Sequence, residues 1–223
     1  MSRFYVLYNP LAGNKRCGTD IKKIEDLIDG EPIYCDMTKP MTYSDVLPEM
    51  KSDDVLIVCG GDGTLNRFIN LPYDYSEKNE VLYFPMGSGN DFAHELGHKY
   101  GDKPFSITKY LKNLPEVTVN GKTFKFLNGI GYGIDGYCCE VGDKLRETTE
   151  GSINYTAIAI KGLLFHYKPT NATVTVDGVK HSYKRVWLAP TMNGKFYGGG
   201  MMPTPNQDRM GGKLSVMVYH NLG

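Results

Sequence analysis

Val55-Leu56-Ile57-Val58-Cys59-Gly60-Gly61-Asp62-Gly63-Thr64-Leu65-Asn66 is the stretch on which the fold turns. Its first five residues are apolar without alternation, which predicts a strand covered on both faces. Gly60 to Gly63 break the run, and Leu65, Phe68 and Ile69 then recur at helical spacing. Glycine lets the backbone come close to a ligand. A turn that feeds a helix aims N–H groups outward, where phosphate binds. The segment is therefore read as a strand, a phosphate-binding turn and a helix. Asp62 would repel phosphates unless a cation such as Mg²⁺ intervenes or the carboxylate handles a proton. A tight turn capped by Asp62 is the alternative that spacing leaves open.

The same grammar repeats on either side. Phe4 to Tyr8 form an apolar run ended by Asn9-Pro10-Leu11-Ala12-Gly13, and Ile21, Ile24, Leu27 and Ile28 follow at helical spacing. Val81-Leu82-Tyr83-Phe84 is a third strand, ended by Pro85-Met86-Gly87-Ser88-Gly89-Asn90-Asp91, with a helix over Phe92 to Leu96. Strand, glycine turn and helix in alternation predict a parallel α/β sheet. Ligands of such sheets bind beyond the carboxyl ends of the strands. Asp91 suits a helix cap or a second carboxylate in that crevice, and Ser88 offers a hydroxyl. Neither a Walker A loop nor a Gly-x-Gly-x-x-Gly fingerprint is present.

From about Val117 the character changes to strands and turns. Thr173 to Val176 alternate, and Asp177-Gly178 before a second run is a hairpin signal. Lys184 to Pro190 and Leu214 to Tyr219 are further strands, and a helix is expected over 153–167. The expected domains are 1–118, binding nucleotide, and 119–223, a β-sandwich.

Composition removes several classes. Lys plus Arg and Asp plus Glu are 25 each, so no basic excess drives nucleic-acid binding. The five cysteines contain no CxxC pair and are read as reduced thiols of a cytoplasmic protein. No apolar run approaches the ~20 residues of a membrane helix, and Met1-Ser2-Arg3 has no leader character. His94 and His98 have a metal-ligand spacing but no third ligand beside them.

Five blocks together resemble the bacterial diacylglycerol kinases and related lipid kinases. They are Asn9-Pro10 with Gly13; Gly60 to Asn66; Pro85 to Ala93; Asn128-Gly129-Ile130-Gly131-Tyr132-Gly133-Ile134-Asp135; and Gly198-Gly199-Gly200 with Pro203. The resemblance implies an N-terminal parallel α/β nucleotide-binding domain and a C-terminal antiparallel β-sandwich, with the active site between them. It implies transfer of the γ-phosphoryl group of ATP, with Mg²⁺, to a lipid hydroxyl such as that of diacylglycerol. Asn9, Thr38, Gly60, Gly61, Asp62, Gly63, Thr64, Asn66, Gly87, Ser88, Gly89 and Asn90 would hold the nucleotide, and Asp62 and Asp91 would be catalytic. Asp208 and the Lys213 carbonyl would keep part of a second Mg²⁺ site, although Gly211 stands where the family places an aspartate. Against the family's pattern, the chain is expected to lack the final segment that supplies the general base. A lipid acceptor implies peripheral contact with the inner face of the membrane. Leu163, Leu164 and Phe165 beside Lys161 and Lys168 suit that contact, and Tyr132, Phe196 and Tyr197 suit an acyl pocket. Exposed strand edges in the second half admit a homodimer. The alternatives are an NAD-kinase-like phosphotransferase with a soluble acceptor, and a catalytically inactive nucleotide- or lipid-binding protein.

Overall fold

The structure, a computed structural model, describes residues 3–39, 44, 47–72, 77–148, 158, 161–162 and 166–221. The chain forms two compact units: Met1–Asn128 with Gly194–Pro205, and Gly129–Asn193 with Asn206–Gly223.

Unit 1 is built on a five-stranded sheet of order β2-β1-β3-β4-β5. Its strands are β1 (Arg3–Tyr8), β2 (Glu31–Asp36), β3 (Val55–Gly60), β4 (Glu80–Pro85) and β5 (Phe105–Ser106). The first four run parallel and β5 is antiparallel to β4. The continuous apolar runs of β1, β3 and β4 arise because these strands are buried on both faces. Tyr5, Leu7, Leu56, Val58 and Tyr83 enter one core cluster, and Val6, Ile57, Cys59 and Phe84 enter the other. Helix α1 (Arg16–Asp20), continued by a tighter 3₁₀ turn over Ile21–Asp26, places Cys17, Ile21 and Ile24 in the second cluster. Helices α2 (Asp62–Phe68) and α3 (Asp91–Glu95) place Leu65, Phe68, Phe92 and Ala93 in the first. A two-stranded ribbon, β6 (Glu116–Val119) and β7 (Lys122–Lys125), completes this unit.

The start of β1 is pinned by an ion pair. Arg3 donates from Nε and Nη2 to the Asp54 carboxylate at 3.1 and 2.7 Å, and Lys51 N donates to it at 2.7 Å. Asp54 is 3% exposed, and the hydrogen bonds from Arg3 hold its carboxyl below the usual range against the opposing effect of burial. Asp54→Ala is expected to cost about 1.5–3 kcal/mol, the loss of charge-assisted hydrogen bonds. Asp54 binds its proton more weakly folded than unfolded. Its contribution is therefore complete above an unfolded pKa of about 4 and disappears as the pH falls through the lower folded value. Urea melts of wild type and Asp54→Ala across acid pH test this. A stability gap that does not narrow in acid refutes it.

Unit 2 holds antiparallel sheets. One has the order β13-β10-β9 and contains β9 (Thr170–Val176), β10 (Val179–Leu188) and β13 (Tyr219–His220). The other has the order β12-β11-β8 and contains β8 (Gly129–Ile130), β11 (Thr191–Met192) and β12 (Ser215–Val216). The β9–β10 hairpin closes with Val176 opposite Val179, and Asp177 and Gly178 take φ of 48° and 83°. These are the two positive values that a two-residue hairpin turn of this hand requires. Helix α4 (Ile134–Thr148) begins at the end of the Asn128–Asp135 block, where no helix was expected. The helix expected over 153–167, with Leu163, Leu164 and Phe165, falls largely outside the described residues. No helix among the described residues is long and apolar enough to cross a membrane.

Candidate nucleotide site

The sheet order fixes where a site can form. The chain moves outward from β1 to β2, then returns across β1 to β3. At such a reversal the turns after neighbouring strands diverge and leave a crevice at the carboxyl ends. Asn9 follows β1, and the Gly60–Thr64 turn follows β3. The Gly87–Asn90 turn follows β4, whose Pro85 is in register with Gly60. Asn9 Nδ2 donates to Thr64 Oγ1 at 3.4 Å, and Asn9 Oδ1 accepts from Leu11 N at 3.0 Å.

The two glycine turns cross backbone on backbone. A Cβ on Gly87 would lie 2.3 Å from Gly61 Cα, and one on Gly61 would lie 3.0 Å from Gly87 Cα. Met86 N donates to Gly60 O at 2.8 Å. Below the crossing, the buried Tyr83 hydroxyl lies 2.9 Å from Gly60 O and 3.3 Å from Asn90 Oδ1. Burial pushes the Tyr83 phenol well above its ordinary pKa, so it remains a donor. Asn90 has φ 52° and brackets Gly87, accepting from Gly87 N at 2.9 Å and donating to Gly87 O at 2.8 Å. Asparagine is among the few residues that take this left-handed conformation readily.

Asp62 caps neither its own turn nor its own helix. Its carboxylate reaches across to α3, where Oδ2 accepts from Asp91 N at 2.9 Å and Oδ1 from Phe92 N at 2.9 Å. Asn128 Nδ2 donates to the same Oδ1 at 2.8 Å. The cap of α3 therefore comes from Asp62, twenty-nine residues earlier, and not from Asp91. Asp91 is buried, and its carboxylate accepts from Gly199 N at 2.9 Å and Gly200 N at 2.7 Å. Burial raises the pKa of the Asp91 carboxyl and the nearby Asp62 charge adds to this, while the glycine N–H groups oppose it. One turn along α3, Glu95 accepts from Lys195 N at 2.9 Å, and His94 packs on Phe196 at 4.6 Å between ring centroids. Gly194 N also donates to Asn128 O at 2.8 Å. The segment Gly194–Pro205 is thereby held against α3 and the Gly87–Asn90 turn inside unit 1.

What projects from this frame is open. Asn66, Ser88 and Gly89 are exposed, and a Cβ on Gly63 would meet nothing within 4 Å. Thr38 lies just past β2 on the same sheet edge. It is exposed, and its N and Oγ1 both donate to Asp36 Oδ1, at 2.8 and 2.7 Å. Asp208 and Lys213 belong to unit 2, not to this crevice. Nothing in the sequence marks a role for Tyr83 or for the Gly199 and Gly200 N–H groups, and Asn128 stands out only as part of a motif. An asparagine just past an apolar stretch, Phe126-Leu127, was the one visible signal among them.

Two family models match the chain. The one described as diacylglycerol kinase catalytic domain covers residues 3–119, and the one described as YegS C-terminal NAD kinase beta sandwich-like domain covers residues 128–223. A Bacillus subtilis (strain 168) protein named "Putative lipid kinase YtlR" is 25% identical, over 99% of this chain and 78% of that protein. A Staphylococcus aureus (strain JH9) protein named "Putative lipid kinase SaurJH9_0749" is 25% identical, over 84% of this chain and 59% of its own length. A solved structure described as a "putative diacylglycerol kinase from Bacillus anthracis str. Sterne" overlays with a TM-score of 0.66 at 20% identity. That overlay covers 99% of this chain and 74% of the other.

Proposed function

Because the chain belongs to the diacylglycerol kinase catalytic domain family, we propose that it transfers the γ-phosphoryl group of ATP to the hydroxyl of a membrane lipid. The acceptor would be diacylglycerol or a related lipid, and the product a phospholipid such as phosphatidic acid. The observation that carries this is the crossing of the glycine turns after β3 and β4, next to the reversal between β1 and β3, with open space above Gly63. Bare backbone N–H groups in a turn suit phosphate oxygens.

In this reading Gly60, Gly61, Gly63, Gly87 and Gly89 let the phosphates approach. Asn9, Thr64, Asn66, Ser88 and Asn90 frame them, and Thr38 borders the same edge. Phosphoryl transfer depends chiefly on positioning and on neutralising charge. Asp62 suits an ATP-borne Mg²⁺, because among the described residues its Oδ2 accepts one hydrogen bond, from Asp91 N, and keeps a lone pair. Bound there, Mg²⁺ would offset the charge on the phosphates. Asp91 has both carboxylate oxygens engaged by Gly199 and Gly200 and serves by fixing that turn. Met201 and Met202, 55% and 51% exposed beside it, offer an apolar, adaptable surface suited to an acyl chain at the membrane inner face.

Radiolabelled ATP with Mg²⁺ and a panel of diacylglycerol, a sphingoid base and phosphatidylglycerol in detergent micelles tests the proposal. NAD serves as the soluble acceptor. Label is expected in one organic-phase product. Label transferred to NAD alone, or to no acceptor while ATP fails to bind, overturns it.

A further inference from the structure

The second Mg²⁺ site implied by the resemblance falls in the turn before β12, and the groups present there do not suit a cation. Gln207 is 6% exposed. Its Nε2 donates to Lys213 O at 2.7 Å and lies 3.3 Å from Asp208 O. Its Oε1 accepts from the Ser215 hydroxyl at 2.5 Å. A carbonyl can only accept, so the amide nitrogen must face the two carbonyls and its oxygen must face the serine. The Lys213 carbonyl, a ligand expected of this turn, thus already holds an N–H donor. The other expected ligand, the exposed Asp208 carboxylate, is turned to its own loop and accepts from Met210 N at 2.9 Å. Gly211 brings no carboxylate. A Cβ there would come within 3.1 Å of Asp208 Oδ2, so a side chain at that position would crowd the one acid present.

Mg²⁺ asks for an octahedron of oxygens, usually with one or two carboxylates among them. This turn presents one carboxylate, exposed and hydrogen-bonded through Oδ1 to Met210 N, and a neutral donor aimed at its carbonyls. We infer that the Gln207 amide stands in for the cation. It gathers the Asp208 and Lys213 carbonyls and ties them to Ser215, the first residue of β12, which pairs with Met192 of β11. The turn and its sheet are closed without a divalent ion. Any Mg²⁺ requirement of the protein then belongs to the nucleotide crevice of unit 1.

Trp187, the single tryptophan, lies in β10 of the same unit, so its fluorescence reports the melting of unit 2. For the nucleotide-free wild type, the Trp187 transition is expected at one temperature in EDTA and in millimolar Mg²⁺. Gln207→Ala should lower it by about 4–8 °C under both conditions, the scale of one buried hydrogen-bonding group in a unit of this size. Gln207→Glu turns the donor into an acceptor facing two carbonyls. It should melt earlier in EDTA and recover when Mg²⁺ or Ca²⁺ supplies the missing positive charge. A wild-type transition that falls in EDTA and returns with Mg²⁺ overturns the inference. So does a Gln207→Glu protein as stable as wild type in EDTA, or one that no divalent ion rescues. The last comparison decides alone if Gln207→Ala does not fold.

Discussion

Gly87→Ala is expected to remove ATP binding, and phosphorylation with it, while the far-ultraviolet circular dichroism stays native. A methyl group at this position would lie 2.3 Å from Gly61 Cα, 2.6 Å from Asn90 Oδ1 and 3.0 Å from Gly61 N. The first and last of these atoms are backbone and cannot swing aside. The two turns must separate, and separation pulls on the Gly87–Asn90 pair at 2.9 and 2.8 Å and on the Met86 N to Gly60 O bond at 2.8 Å. Overpacking of this kind costs about 1–3 kcal/mol, and a displacement of ~1 Å in a positioning group lowers catalysis on the order of 100-fold. Gly63→Ala is the matched contrast. Its new methyl group meets no protein atom within 4 Å and lies inside α2, where alanine outranks glycine by about 0.8–1 kcal/mol. It should leave the melting temperature equal or raised and yet weaken ATP binding, because the space it fills is the space assigned to the nucleotide. Calorimetric ATP titrations beside thermal melts separate the two variants. Gly63→Ala with unchanged affinity would remove the phosphates from this turn.

The frame of unit 1 was legible because its causes are local. Val55 to Cys59 lack polar residues since Leu56 and Val58 face one core cluster while Ile57 and Cys59 face the other. Asp177-Gly178 marked its hairpin because the positive φ values that the turn needs exclude most other residues. Helix α4 was missed although Ile134, Tyr137, Cys138 and Val141 recur at helical spacing. Gly136 and Gly142, both poor helix formers, hid that stripe.

The wiring of the site could not be read, because it is long-range. Asp62 finds Asn128 sixty-six residues away, and Asp91 finds Gly199 at a separation of 108. No periodicity records such pairings. The reading of Asp62 and Asp91 as charges near phosphate came from their place beside glycines. The geometry adds a different task for each carboxylate: Asp62 ties one turn to the helix of the other, and Asp91 ties that helix to Gly199 and Gly200. A polar residue beside a glycine turn announces that a site is present. Which backbone groups it satisfies depends on segments that arrive only once the sheet has formed.

That double task makes Asp62 the position where stability and activity should fail together. Asp62→Ala strips the acceptor from Asp91 N, Phe92 N and Asn128 Nδ2 at once. Two of these are first-turn N–H groups of α3 with no partner inside the helix. Loss of such a cap, together with a charge-assisted side-chain bond, costs about 2–4 kcal/mol, a fall of roughly 5–15 °C in melting temperature. Asp62→Asn separates shape from charge. Its oxygen can still serve Phe92 N and Asn128 Nδ2, but its amide nitrogen must then face Asp91 N, donor against donor. About half of the stability loss should remain. Assayed well below its melting temperature, Asp62→Asn should still lose on the order of 100-fold or more in turnover, as expected when the ligand of a charge-neutralising Mg²⁺ on a transferring phosphoryl is removed. An unchanged melting temperature in Asp62→Ala would mean that the carboxylate does not join the turns. Full turnover in folded Asp62→Asn would leave Asp62 a structural tie and pass the Mg²⁺-holding role to another group.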